Sequence, residues 1–192
     1  MSLDLKREIK NEIESFQRSS WKREFGDDLS CNTDNFYLKP HYKYIHPMIY
    51  IGNTKAAIDK EVLAKYEFGA VLSCCKIYFP ERDYYQDKQL IHEMIPMPDE
   101  ANINLQSIFV QGADFIESMM KESNSVLVHC EDGLCKSVAM VVAFFMKNRC
   151  LDLLTSFELI HHKTVVKLKN SYIEQLIKFH LDIIHNRIPG TD

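Results

Sequence analysis

Residues 126–148 read VLVHCEDGLCKSVAMVVAFFMKN. A short apolar run (Val126, Leu127, Val128) ends abruptly at His129 and Cys130. A polar loop containing one glycine follows (Glu131, Asp132, Gly133, Leu134, Cys135, Lys136), and an apolar, helix-compatible segment begins at Ser137. Strand, tight loop and helix is the geometry in which successive backbone N–H groups and a helix N-terminus converge on one anion. A cysteine at the mouth of such a loop is expected to have a lowered thiol pKa, because the dipoles that hold an anion also stabilise a thiolate. The stretch therefore predicts a phosphate-binding loop that carries a nucleophile. The competing reading of Cys130 is a small buried hydrophobe, the usual fate of a free cysteine.

Outward from this stretch, strand and helix signals alternate. Residues 48–51 form a short apolar run closed by Gly52 and Asn53, residues 56–66 a helix with Gly69 as its stop, and residues 70–75 a compact strand. A polar, aromatic loop spans residues 76–89, and a third strand over residues 90–95 is stopped by Pro96 and Pro98, which have no N–H to donate to a ladder. Asn104 can cap a long helix whose apolar face is Leu105, Ile108, Phe109, Gly112, Ile116 and Met119. The helix from Ser137 is apolar almost all round, as a central helix is. Asp152 caps a further helix over residues 153–162. Asn170 caps the last, with Ile173, Leu176, Ile177, His180, Ile183 and Ile184 facing inward. The alternation predicts an α/β fold: a central mixed, partly parallel sheet flanked by helices.

Residues 1–44 read as an N-terminal extension, residues 45–188 as the catalytic-type domain and residues 189–192 as a tail. Leu5, Ile9, Ile13 and Phe16 recur at helical spacing among charged residues, giving an amphipathic helix. Its stripe must pack on its own domain, on a second copy or on a partner; docking on its own domain, joined by Trp21 and Phe25, is the simplest of these. Residues 26–35 (GDDLSCNTDN) are rich in turn formers and read as a linker.

The 192 residues suffice for a sizeable core, and 46% apolar with 26% charged residues is the balance of a water-soluble globular protein. A formal net charge of −4 argues against nucleic acid or an anionic membrane surface as partner. The chain opens on charged helix formers rather than a signal peptide, and no apolar run is long enough to span a bilayer. Six cysteines, Cys31, Cys74, Cys75, Cys130, Cys135 and Cys150, form neither CxxC zinc pairs nor a disulfide scaffold. A reduced, cytoplasmic or nuclear protein without cofactor is expected. His161 and His162 lack a carboxylate or cysteine at ligand spacing, so no metal site is expected there.

The array His129-Cys130-x-x-Gly133-x-x-Lys136-Ser137 resembles the His-Cys-x5-Arg-Ser signature of cysteine-dependent phosphatases. The competing cysteine loop of rhodanese-like sulfur-transfer or redox proteins does not need the preceding histidine. The likeness extends outward in the order seen in dual-specificity phosphatases. Residues 46–53 (HPMIYIGN) resemble their opening strand, residues 71–74 (VLSC) the next, and residues 95–97 (IPM) the approach to their acid loop, with Asp152 and Gln175-Leu176 fitting further on. The resemblance covers roughly residues 45–182. It implies a cysteine-dependent phosphatase fold and a two-step reaction on a phosphoprotein. The Cys130 thiolate would take the phosphoryl group as phosphocysteine, and Asp99 would protonate the leaving oxygen and then serve as base for water. His129 would hold the loop by hydrogen bonds and help to keep the thiolate. Ser137 would hydrogen-bond the departing thiolate. Residues Glu131, Asp132, Gly133, Leu134, Cys135 and Lys136 would cradle the phosphate. The alternatives are a turn aspartate at residue 99, with Glu100 as its nearest substitute, a satisfied core histidine at 129 and an ordinary helix cap at 137.

Lys136 departs from the family pattern. Arginine offers a planar fork with two parallel donors, whereas lysine offers a point charge. Losing a preorganised donor from such a site costs about 10²–10³ in rate. Reduced activity is therefore expected, with a non-catalytic phosphoprotein-binding pseudophosphatase as the alternative. Glu131 and Asp132 stand where phosphoinositide phosphatases of the superfamily carry lysines, which disfavours an inositol headgroup. No stretch resembles the phosphotyrosine-recognition loop of the larger tyrosine phosphatases, leaving phosphotyrosine with phosphoserine or phosphothreonine as the expected substrates. The resemblance further implies that Cys75 or Cys74 can pair reversibly with an oxidised Cys130; two small buried residues at a strand end is the plainer reading.

Overall fold

The computed structural model describes residues 3–26, 39–75, 85, 89–99 and 103–188. Cys31, Glu100, most of the expected linker, most of the 76–89 loop and the 189–192 tail lie outside the described residues. Strands β1 (Tyr42–His46) and β2 (Ile49–Asn53) make an antiparallel hairpin, and β3 (Phe68–Ser73), β4 (Ile91–Met94) and β5 (Ser125–Cys130) complete one sheet in the order β1-β2-β5-β3-β4. Strands β2, β5, β3 and β4 run parallel to one another. The sheet is thus mixed and largely parallel, as expected. Strand β1 is an addition: its sequence, YKYIH, alternates too weakly to read as a strand alone, and its only buried residue is Ile45.

Central β5 is buried from Val126 to Cys130, the condition that turns a parallel strand into a continuous apolar run. Val126 and Val128 face the main core with Ile49, Ile51, Ala70 and Leu72, whereas Leu127 joins Val71, Phe68 and the helices α2 (Thr54–Ile58) and α3 (Lys60–Lys65) on the other face. Over the main face lie α4 (Gln106–Lys121), α5 (Lys136–Asn148), α6 (Leu153–His161) and α7 (Asn170–Ile184). Helix α5 is buried at twelve of its thirteen residues, so its all-round apolarity reflects a central position.

Several elements differ from expectation for identifiable reasons. The single helix expected over residues 56–66 is broken at Asp59, whose carboxylate accepts hydrogen bonds from the Glu61 and Val62 N–H groups and starts a second helix. Gly69 is not its stop. Glu67 takes the left-handed conformation (φ 49°), and Gly69 lies inside β3 because a Cβ there would come within 2.1 Å of the Asn124 side chain. Asn170 is the first helical residue of α7 rather than its cap, with Lys169 in the capping position and no side-chain cap bond. Ile184 is 60% exposed and does not face inward. Asn104 accepts a hydrogen bond from the Gln106 N–H at 3.1 Å, one residue ahead of the helix cap Leu105. Beyond β4 the chain keeps pairing, because Ile95 and Met97 donate to the Ser73 and Cys74 carbonyls at 2.9 and 3.0 Å. Pro96 and Pro98 fall on the intervening positions, where no donor is required.

Helix α1 (Leu3–Phe25) lies against α6 and α7. Ile13 is fully buried in the main core, with Ile9 and Phe16 packed beside it. Ile9, Ile13 and Phe16 of its stripe thus pack on its own domain, whereas Leu5 is 45% exposed. No helix among the described residues is long and apolar enough to cross a membrane.

Candidate active site

The abrupt end of β5 at Cys130 delivers the chain into a five-residue loop, residues 131–135, from which α5 starts at Lys136. The loop can turn because Gly133 adopts φ 77°, and any Cβ there would sit 2.8 Å from the backbone of Gly52. It is tied on every side. The Cys74 N–H donates to the His129 carbonyl at 2.8 Å, Thr54 Oγ1 donates to the Cys130 carbonyl at 3.2 Å, and the Lys167 N–H donates to the Leu134 carbonyl at 2.8 Å.

Cys130 Sγ lies 3.2 Å from Ser137 Oγ and 3.5 Å from Asp132 Oδ1, and the backbone N–H groups of Ser137 and Cys135 point at the same sulfur. These N–H groups and the Ser137 hydroxyl pull the thiol pKa down, but burial and then the Asp132 carboxylate outweigh them, so the Cys130 thiol stands above its ordinary value. The expectation of a lowered pKa is therefore corrected. The dipoles are present, but the acidic side chain of the loop's own Asp132 occupies the cradle, accepting a hydrogen bond from the Leu134 N–H at 2.9 Å.

His129 is fully buried behind the loop, 2.7 Å by Nε2 from Ser73 Oγ, which in turn lies 2.8 Å from His92 Nε2. Burial above all holds its pKa down at about 3, so the ring is neutral and serves as a hydrogen-bonding prop rather than a positive charge.

Lys136, with a side chain only 11% exposed, turns its ammonium between two carboxylates: Asp99 Oδ2 at 3.1 Å and Glu131 Oε1 at 3.2 Å. Burial opposes its charge, yet these two partners prevail and keep its pKa above the usual lysine value. Asp99 reaches this point on the chain that follows β4, held by the Tyr172 hydroxyl donating to the Pro98 carbonyl at 2.9 Å. The second oxygen of Asp99 accepts from Lys169 Nζ at 2.6 Å. That hydrogen bond, more than the one from Lys136, holds the Asp99 carboxyl below its usual pKa.

Cys74 and Cys75 follow the end of β3 as buried free thiols. Burial raises both, Cys75 to about 12, and the charge of Cys130 contributes at each. Cys135 is likewise a free thiol pushed up to about 12 by burial, and it accepts a hydrogen bond from the Lys169 backbone N–H.

Asp132, Ser137 and the Cys135 N–H thus meet at the Cys130 sulfur, while Lys136 of the same loop holds Glu131 and Asp99. Four contributors were not apparent from the sequence: Thr54, Ser73, Lys169 and Tyr172. Each arrives from a segment distant in sequence from residues 130–137.

Comparison with known proteins places the chain beside one family. Residues 49–182 match the family model "Dual specificity phosphatase, catalytic domain". Dual specificity protein phosphatase 1 of Arabidopsis thaliana is 30% identical over 129 residues, covering 67% of this chain and 63% of that protein. Dual specificity protein phosphatase 5 of Rattus norvegicus is 28% identical over 141 residues, covering 73% of this chain and 36% of that protein. The chain thus spans less than two thirds of either relative's length. The crystal structure of human DUSP28 superposes with a TM-score of 0.68 at 19% identity, covering 77% of this chain and 97% of the other. That of a human tyrosine phosphatase-like serine/threonine/tyrosine-interacting protein gives 0.64 at 18%, covering 74% and 97%.

Proposed function

This chain belongs to the dual specificity phosphatase family, and from that premise we propose that it hydrolyses phosphotyrosine, and phosphoserine or phosphothreonine, in a phosphoprotein at reduced speed. The Cys130 thiolate attacks phosphorus in line, forming the S–P bond as the P–O bond to the side-chain oxygen breaks. Asp99, protonated, gives its proton to that oxygen, because an alkoxide or phenolate leaves poorly without one. Water then attacks the phosphocysteine with Asp99 as base, releasing inorganic phosphate and the thiolate. Ser137 Oγ, 3.2 Å from the sulfur, stabilises the departing thiolate by donating to it.

The observation that supports this reading is the contact between Asp99 and Lys136 of the nucleophile's loop, at 3.1 Å. Reduced speed follows from the lysine: an ammonium lacks the rigid planar fork of the family's guanidinium, and losing a preorganised donor costs about 10²–10³ in rate. The raised Cys130 thiol lowers the thiolate fraction further. These same two features favour a second reading, a phosphoprotein-binding module that keeps the cradle without turnover.

Hydrolysis of p-nitrophenyl phosphate by the native chain, Cys130→Ser and Lys136→Arg separates them. Slow native turnover, abolished by Cys130→Ser and increased by Lys136→Arg, is the expected result. Turnover only in Lys136→Arg supports the binding module. No turnover in native or Lys136→Arg protein overturns the phosphatase reading.

A further inference from the structure

Two ammonium groups converge on the two oxygens of one carboxylate at the mouth of the cradle. Lys136 Nζ holds Asp99 Oδ2 at 3.1 Å and Lys169 Nζ holds Asp99 Oδ1 at 2.6 Å. Side by side on two oxygens of one anion, they occupy the positions that the two arms of a guanidinium take on a carboxylate or phosphate. We propose that Lys169 is a second phosphate-binding cation, and that Lys136 and Lys169 together form a clamp in place of the single arginine of the family signature. The inference rests on the phosphatase reading only for the chemical class of the ligand, a tetrahedral oxyanion or phosphate monoester.

Three observations support it. First, Lys169 is built into the wall of the cradle rather than hanging over it. Its backbone N–H is on the Cys135 thiol, and two residues earlier the Lys167 N–H is on the Leu134 carbonyl. Second, the charges around the sulfur do not suit an incoming dianion if Lys136 acts alone. Glu131 and Asp99 already share that single ammonium, and the Asp132 carboxylate lies 3.5 Å from the sulfur. A second cation complements these carboxylates, and among the described residues Lys169 is paired with one of them. Third, the Lys169 side chain is 59% exposed against 11% for Lys136, so its flexible stem can carry the ammonium from Asp99 to an anion while still in contact with water.

The clamp also links binding to chemistry. An arriving phosphate competes with Asp99 for both lysines. As they move onto the phosphate oxygens, the carboxyl loses the Lys169 hydrogen bond that chiefly holds its pKa down. The freed carboxylate can then take up a proton from water and pass it to the leaving oxygen.

The test is calorimetric binding of inorganic tungstate, an oxyanion that is not turned over, to the full chain and to Lys169→Met, Lys169→Arg, Asp99→Asn and the double variant Asp99→Asn/Lys169→Met. Loss of a charge-assisted contact predicts affinity roughly ten- to a hundredfold weaker in Lys169→Met, largely restored in Lys169→Arg. A similar loss is expected when Lys169→Met is made on the Asp99→Asn background, because the lysine touches the anion itself. The proposal is overturned if Lys169→Met binds within about twofold of native, if its effect vanishes on the Asp99→Asn background, or if the native chain does not bind tungstate. Lysine-dependent binding without hydrolysis of p-nitrophenyl phosphate would leave the clamp standing and remove the phosphatase. Hydrolysis with binding indifferent to Lys169 would do the reverse.

Discussion

Cys130 stands among groups that pull its proton in opposite directions. The N–H groups of Cys135 and Ser137 and the Ser137 hydroxyl favour the thiolate, while burial and the Asp132 carboxylate, 3.5 Å from the sulfur, favour the thiol. Of the two opposing influences, only the carboxylate can be removed without reshaping the loop. Asp132→Asn keeps an acceptor for the Leu134 N–H, now bonded at 2.9 Å, and deletes the like charge. The sign is fixed: removing a negative neighbour stabilises the anion, so the pKa falls and the thiolate appears at lower pH. The pH profile of Cys130 alkylation by iodoacetamide, read by peptide mapping, should therefore move to lower pH, with a severalfold faster rate at neutral pH. A profile that stays in place or moves to higher pH would mean that Asp132 does not control the thiol. The neighbouring thiols are poor competitors for the reagent, since burial pushes Cys75 and Cys135 to about 12.

At the scale of elements, the loop depends on the hairpin beside it. Gly133 has φ 77° and faces the Gly52 backbone at the distance a Cβ would need, so Gly133→Ala adds backbone strain and a collision with main chain that cannot rotate away. Strain of this kind costs about 1–3 kcal/mol, which should appear in urea unfolding together with weaker tungstate binding; native-like values of both would show that the turn tolerates a side chain. The β5–loop–α5 unit was legible in the sequence because its signals change sharply, from three apolar residues to a glycine-containing polar loop to an apolar helix. Asp152 was legible for the same local reason: its carboxylate accepts from the Thr155 N–H at 2.9 Å, as a cap should. The break at Asp59 was not, since an aspartate on an exposed helix face and one that caps a second helix look alike until the chain direction is known. Lys169 and Thr54 were illegible for a stronger reason. The signals beside them, Asn53 and Asn170, mark only the end of a strand and the start of a helix. Lys169 meets Asp99 across seventy positions and Thr54 meets Cys130 across seventy-six, and only the completed fold makes them neighbours.

For the molecule as a whole, α1 packs on the domain that follows it, against α6 and α7. Its side chains reach the cradle through one intermediate segment. Ser20 Oγ accepts from the Val166 N–H at 3.2 Å and Gln17 Oε1 accepts from the Leu168 N–H, while the Lys167 N–H between them points the other way, to Leu134 in the loop. Alternate donors of an extended chain face opposite sides, so this segment joins α1 on one side to the loop on the other. Trp21 and Phe25 add an apolar contact to Leu134 and Val165. If α1 is part of the core, emptying its deepest position should behave as a core substitution. Ile13 is fully buried with Phe16 beside it, and Phe16 stacks on Phe157 and His161. Ile13→Ala should then cost about 2–5 kcal/mol in urea unfolding, in a single transition with an unchanged dependence on denaturant. A loss below about 0.5 kcal/mol would show α1 to be peripheral, because a buried isoleucine whose removal goes unfelt is not holding a core together. A full loss accompanied by normal tungstate binding in the remaining folded protein would separate the two roles: α1 would stabilise the domain, and the segment at residues 166–168 would hold the loop without it.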